Sequence, residues 1–218
     1  MAITTYTELK TAIANWTGRA DFSSRDEEFI SLAEARIYQQ AAKRGGLIGM
    51  EKLGTVTLSA STETATVPSD FIRAISFRLD DESPLDQKTL SQMASLSNAV
   101  DKPRFYATAG GTSPLFYFRP IPDGAYSASL VYVAKFPALS GSNASNWLLE
   151  NAPNAYLYGA CIEAAGYVRD ASMAEAAHSL FSEALDGLLG LTRQYRFSEP
   201  PIRSLDASLT GRAFERAF

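Results

Sequence analysis

The chain of 218 residues is 46% hydrophobic, with a formal net charge of −4 and a pI near 5.1. It can bury one domain or two small intimate ones, and it is too acidic to be held to nucleic acid by a broad basic surface. One cysteine, Cys161, and one histidine, His178, exclude an internal disulfide, a Cys-rich metal site and multi-His ligation.

The opening MAITTYTELK has no basic patch followed by an apolar core, so no signal peptide is expected. A first helix is expected from Thr5, three residues ahead of Glu8 in capping-box spacing, with Tyr6, Leu9, Ile13 and Trp16 on one face. A second box, Ser24 to Glu27, opens a longer helix. Its Phe29, Ala33, Ile37 and Ala41 recur every fourth residue until Gly45 and Gly46 stop it.

The period then drops to that of a strand. In GTVTLSAS the apolar Val56, Leu58 and Ala60 alternate with Thr and Ser. Further strands are predicted at Phe71–Leu79, Arg104–Ala109, Pro114–Pro120 and Tyr126–Phe136, joined by Gly- and Pro-rich turns into a meander of adjacent strands. A short helix over the sheet is read at Asp86–Leu96. The strand aromatics Phe105, Tyr106, Phe116, Tyr117, Phe118, Tyr126 and Tyr132 could stack single-stranded nucleic acid, but alternation alone accounts for them as core and cross-strand pairs.

Helical period returns after SGSNASN, with Asn151 as the expected N-cap and Pro153 in the first turn. From Ala155 to Val168 the only charged side chain is Glu163. A membrane span needs about 20 apolar residues, and Pro153, Glu163 and two glycines interrupt this run, so protein is expected to cover it. Its small Ala155, Gly159 and Gly166 would let neighbouring helices, or a neighbouring subunit, approach closely. A last helix, Ala171 to Tyr195, places Met173, Ala177, Leu180, Ala184, Leu188, Leu191 and Tyr195 in one seam, although Gly187 and Gly190 each weaken it by roughly 1 kcal/mol.

The expected class is therefore α+β: a helical bundle built from N- and C-terminal helix pairs (1–51 and 138–197), an antiparallel β-rich insertion (52–137) and an extended C-terminal tail (198–218) set off by Pro200-Pro201. The tail carries Ile202, Leu205, Leu209, Phe214 and Phe218 with Arg203, Arg212 and Arg216.

No catalytic constellation emerges. Cys161 and His178 both fall in helices expected to be packed, and no phosphate-cradling motif is present. Asp80–Glu82 reads as a hydrated turn, and Asp26, Glu27 and Glu28 read as acids favoured by a helix dipole. No catalytic residue, metal or cofactor is assigned. The NAS sequon at Asn143 carries little weight without a secretion signal.

TYTELKTAIANW, FISLAEARIYQQ, VPSDFIRAISFRL, SPLDQKTLSQM, FPALSGSNASNWLLENAPNAYLYGACIEAA and the LDGLLGL helix, in this order, resemble the head-to-tail adaptor (connector) proteins of tailed bacteriophages, especially short-tailed ones. The resemblance runs from about Thr4 to Tyr195 and rests on the ordered set. It implies a structural virion protein, not an enzyme, made in the bacterial host cytoplasm and added beneath the portal as a dodecameric ring. The ring extends the DNA channel and offers a platform for the tail nozzle or fibres. The partners implied are the portal protein, the nozzle and fibres, further copies of the chain, and double-stranded DNA in passage, with no membrane. The tail residues named above would dock on the portal, and Asp26, Glu27 and Glu28 are candidate acids of the lumen. Two alternatives stay open: a virion-associated cell-wall hydrolase, for which no cleft carboxylate is marked, and a neck or tail-completion protein of a long-tailed phage.

Overall fold

The computed structural model describes residues 2–196. Helix α1 (Tyr6–Thr17) begins at the expected box: the Glu8 N–H donates to Thr5 Oγ1 (3.3 Å), and the Thr5 N–H donates to Glu8 Oε2 (3.0 Å). Helix α2 (Asp26–Lys43) buries Phe29, Ala33, Ile37 and Ala41 as expected, but the Ser24 box does not form. Ser24 instead closes a 3-10 turn, Ala20–Ser24, and Arg25 precedes the helix without a side-chain cap. The cause is Phe22, which that turn drives into the core against Phe29 (ring centroids 5.6 Å apart); apolar anchoring, not capping, sets the start of the helix.

Strands β1 (Glu51–Leu58), β2 (Thr64–Thr66), β3 (Phe71–Leu79), β4 (Asp86–Gln87), β5 (Phe105–Ala109), β6 (Leu115–Arg119) and β7 (Tyr126–Ala134) follow. They do not form the expected meander. β7 lies between β1 and β3, antiparallel to both, and a second sheet runs β2-β6-β5-β4, its β4–β5 pair parallel. The two sheets face each other across one core, where Phe77 of β3 meets Phe116 of β6 (5.2 Å) and Tyr106 of β5 (5.1 Å). Each sheet turns an apolar face to the other, and stacking the two buries both sets at once. Alternation reveals that face but not which strand lies alongside. Ala60 falls outside β1, exposed in a turn where Ser61 has φ 58° and donates its N–H to Pro122 O (2.8 Å). Helix α3 (Leu90–Ala94) is shorter than expected because Asp86 and Gln87 pair with β5; a Thr89–Gln92 capping box starts it.

Helix α4 (Trp147–Asn151) is capped by Asn146, whose Oδ1 accepts from the Leu149 N–H (3.0 Å). Asn151 therefore ends α4 and does not cap α5 (Pro153–Val168), which starts after Ala152 with Pro153 in the first turn. Helix α6 (Ala171–Arg196) buries Ala177, Phe181, Leu185, Leu188, Leu189 and Thr192. The expected seam is thus rotated: Leu191 and Tyr195 are 53% and 68% exposed, because Phe181 and Leu185 point at the partners of α6 instead.

Helix α5 packs against α1, α2, α4 and α6, and one apolar core joins these helices. That core and the inter-sheet core are separate clusters, and β7 serves both: Leu130 and Tyr132 face the sheets while Val133 faces the helices.

Candidate functional site

The apolar run of α5 is answered within its own chain. Ala155, Tyr156, Ala160 and Cys161 are fully buried, and Glu163 accepts from Arg36 Nε (2.9 Å) and Nη2 (2.5 Å) across to α2. A Cβ on Gly159 would sit 3.1 Å from Ala33 Cβ and 3.3 Å from Phe181 Cε2, so glycine is what lets α2 and α6 close on α5. Of the three small residues expected at contacts, Ala155 and Gly159 are enclosed by this chain's own helices and reach no neighbour. Gly166 is exposed, with nothing within 4 Å of its Cβ position, and mediates no close approach within the chain.

Sequence reading missed the polar knot beneath the segment that leads from β7 to α4. Glu34 is 8% exposed, and its Oε1 accepts from both the Leu139 N–H and the Tyr156 O–H, each at 3.0 Å. Asn146 Nδ2 in turn donates to Tyr156 Oη (2.7 Å) and Pro137 O (2.9 Å). Burial pushes the Glu34 carboxyl up, opposed by those two hydrogen bonds. Burial and the nearby Glu34 push the Tyr156 phenol up, so it remains a donor. A signal was present: Glu34 lies four residues after Ile30 and three before Ile37, on the buried stripe of α2.

Asp26, Glu27 and Glu28 share the first turn of α2 but not one environment. Asp26 is 3% exposed, its Oδ1 has no hydrogen-bond partner among the described residues, and burial pushes its carboxyl up. It faces inward and cannot line a lumen. Glu27 and Glu28 are exposed, and Glu28 pairs with Arg25 at 3.2 Å.

Cys161 is buried and its thiol is pushed up to about 12, the reverse of an activated nucleophile. His178 lines a small pocket with Arg36, Gln40 and Arg44 of α2. In the Asp80–Glu82 turn, Asp81 pairs with Lys102, and hydrogen bonds from Lys102 and Ser83 lower its carboxyl to about 2. Tyr106, Phe116, Phe118 and Tyr132 are buried between the sheets, as cross-strand packing requires. No described helix is long and apolar enough to cross a membrane. The tail residues Ile202, Arg203, Leu205, Leu209, Arg212, Phe214, Arg216 and Phe218 lie outside the described residues.

Among the described residues, one of several open concavities has a mixed polar and apolar lining. A groove of about 470 Å³ runs between the start of α5 and the outer flank of α6, lined by Tyr158, Leu180, Ala184, Gly187, Leu188 and Leu191, with Asn154 and Glu183 on its rim. Among the described residues, its lining brings together no acid, base and nucleophile. Residues 4–204 match the model of the SU10 adaptor protein family. The chain belongs to that family. It is a phage head-to-tail adaptor family of the short-tailed type, a structural and not an enzymatic one, and it implies a place in the virion and contact with portal and tail components. No curated protein matches the adaptor chain.

Proposed function

We propose that this adaptor forms a ring of identical copies, a dodecamer, beneath the portal, where it extends the DNA channel and carries the tail nozzle or fibres. The observation that carries the reading is the family match across residues 4–204, nearly the whole chain. In this reading the helical part (1–51 and 138–197) and the tail (198–218) face the portal, the β-rich part (52–137) faces outward or toward the tail, and the protein waits in the host cytoplasm before joining the virion.

The chemistry supports it at three points. A net charge of −4 lets a channel repel passing DNA instead of gripping it, with Glu27 and Glu28 as the exposed acids of α2 that could contribute. The tail pairs Ile202, Leu205, Leu209, Phe214 and Phe218 with Arg203, Arg212 and Arg216, a composition suited to ordering on a partner. Gly166, exposed and uncrowded, can still accept a neighbouring copy.

Negative-stain electron microscopy of the chain alone and mixed with the portal ring of the same phage tests this. The expected result is small particles alone and a symmetric collar at one end of the portal in the mixture. A portal that stays bare at every concentration would overturn it. Deleting residues from Pro200 onward should weaken portal binding; unchanged binding removes the tail from the reading.

A further inference from the structure

We infer that the groove between α5 and α6 is the resting site of the chain's own C-terminal segment, residues 197–218, before any partner is met. The groove has a mixed lining whose apolar part runs along α6: Leu188 is buried, Leu180 and Ala184 are half-buried, and Leu191 is 53% exposed. Gly187 leaves its floor free, since a Cβ there would meet nothing within 4 Å. Glu183, on the rim, has no ion pair among the described residues.

The remaining chain starts at the right place and has the right chemistry. Helix α6 is described as far as Arg196, little more than one turn beyond Leu191, so the remaining chain continues from near the Leu191 end of the groove. Pro200-Pro201 cannot extend the helix and favours a change of direction. Ile202, Leu205 and Leu209 then follow, with Arg203 and Arg212 available to Glu183. From Leu191 to Leu180 is about 16 Å at the helical rise. Residues 202–209 span on the order of 26 Å when extended, enough to run back along α6 over that whole length.

A tail seated here hides the groove and the tail's own apolar stripe from water and from premature contacts. It also holds the residues proposed to dock on the portal, so portal and groove compete for one segment. The inference goes beyond the ring reading and does not require it, because it concerns the chain by itself.

Hydrogen–deuterium exchange of the full chain, without portal, tests it. Amides of residues 202–209 should exchange at least about tenfold slower than an unstructured chain, equally so at low and high protein concentration. Leu191→Asp, at a solvent-exposed position, should abolish that protection while leaving exchange in α5 unchanged, and Glu183→Lys should reduce it. A tail exchanging at the unstructured rate in the unaltered chain overturns the inference, as does protection indifferent to Leu191→Asp. Protection that appears only as concentration rises assigns the groove to a neighbouring copy's tail, and overturns the same-chain assignment.

Discussion

Glu34 offers the sharpest test of how the helical core is fastened. Replacing it with alanine removes the one oxygen that accepts from both the Leu139 N–H and the Tyr156 O–H. Tyr156 Oη already accepts from Asn146, so its hydrogen has nowhere else to go. Each orphaned buried donor costs about 1–3 kcal/mol, and the relieved burial of a carboxylate returns part of that, leaving a net loss of about 2 kcal/mol for Glu34→Ala. For a chain of this size that is a fall in Tm of about 4–8 °C. Glu34→Gln keeps an oxygen at the same place and should stay within about 0.5 kcal/mol of the original at neutral pH. The pH response fixes the sign. The native carboxyl is raised above its ordinary value of 4.5, so between the two values the folded chain holds a proton the unfolded chain has lost. Stability from this group is complete below the ordinary value and is lost as pH rises through the raised one. Glu34→Gln removes that slope, so its stability relative to the unaltered chain should improve from pH 5 to pH 8. Urea unfolding followed by circular dichroism at both pH values measures this. Equal losses in the alanine and glutamine variants would refute the acceptor role, and a relative stability of Glu34→Gln that falls with pH would refute the raised carboxyl.

Four further substitutions, one of them paired with Arg36→Ala, separate effects that sequence alone lumps together. Gly159→Val should cost about 2 kcal/mol through crowding against Ala33 and Phe181, whereas Gly190→Ala, in open space on α6, should gain about 0.5–1 kcal/mol by helix propensity; thermal melts of both decide it. Gly49→Ala would place its Cβ against the rigid indole of Trp147, which stacks on Phe136 at 5.5 Å, and should cost about 2–3 kcal/mol with a visible change in Trp fluorescence. Glu163→Ala should cost about 1 kcal/mol, because the Arg36 partner is partly exposed, and a double-mutant cycle with Arg36→Ala should return about 0.5–1 kcal/mol of coupling that shrinks in high salt.

What the sequence made legible was local. The Thr5–Glu8 box, the β3 limits and the extent of α6 follow from short-range capping and periodicity, and each stands at or within a residue of its expected place. What it hid was set at long range. β2 and β4 are too short to show a period of two, and the placement of β7 between β1 and β3 depends on which apolar faces meet across the stacked sheets. Asn146 and Asn151 are equally good caps by type; only the position of Leu149 in the core selects the first. Both Gly159 and Gly166 look like packing glycines, and only the approach of Phe181 tells them apart. The groove was hidden by the rotation of α6: the stripe read as a buried seam includes its exposed wall, Leu180 and Leu191.

An apolar helix at the centre of an assembling protein invites the thought that it is kept for a partner, and its burial argues the opposite. Side chains already at 0% exposure, such as Ala155 and Tyr156, have no area left to remove from water, so association gains nothing from them. Outside the groove, the apolar surface still reached by water includes the outer face of the first sheet, where Leu53 of β1, 70% exposed, lies beside Val131 of β7, with Ile75 of β3 at 46%. Burial there is worth about 25 cal/mol per Å² and carries no folding role. Enlarging Ala155 should therefore unfold the chain, whereas Leu53→Asp should leave the melting temperature in place and weaken whatever that face meets in the ring or the tail. A Leu53→Asp chain that melts lower but assembles normally would mean that this sheet face serves the fold alone.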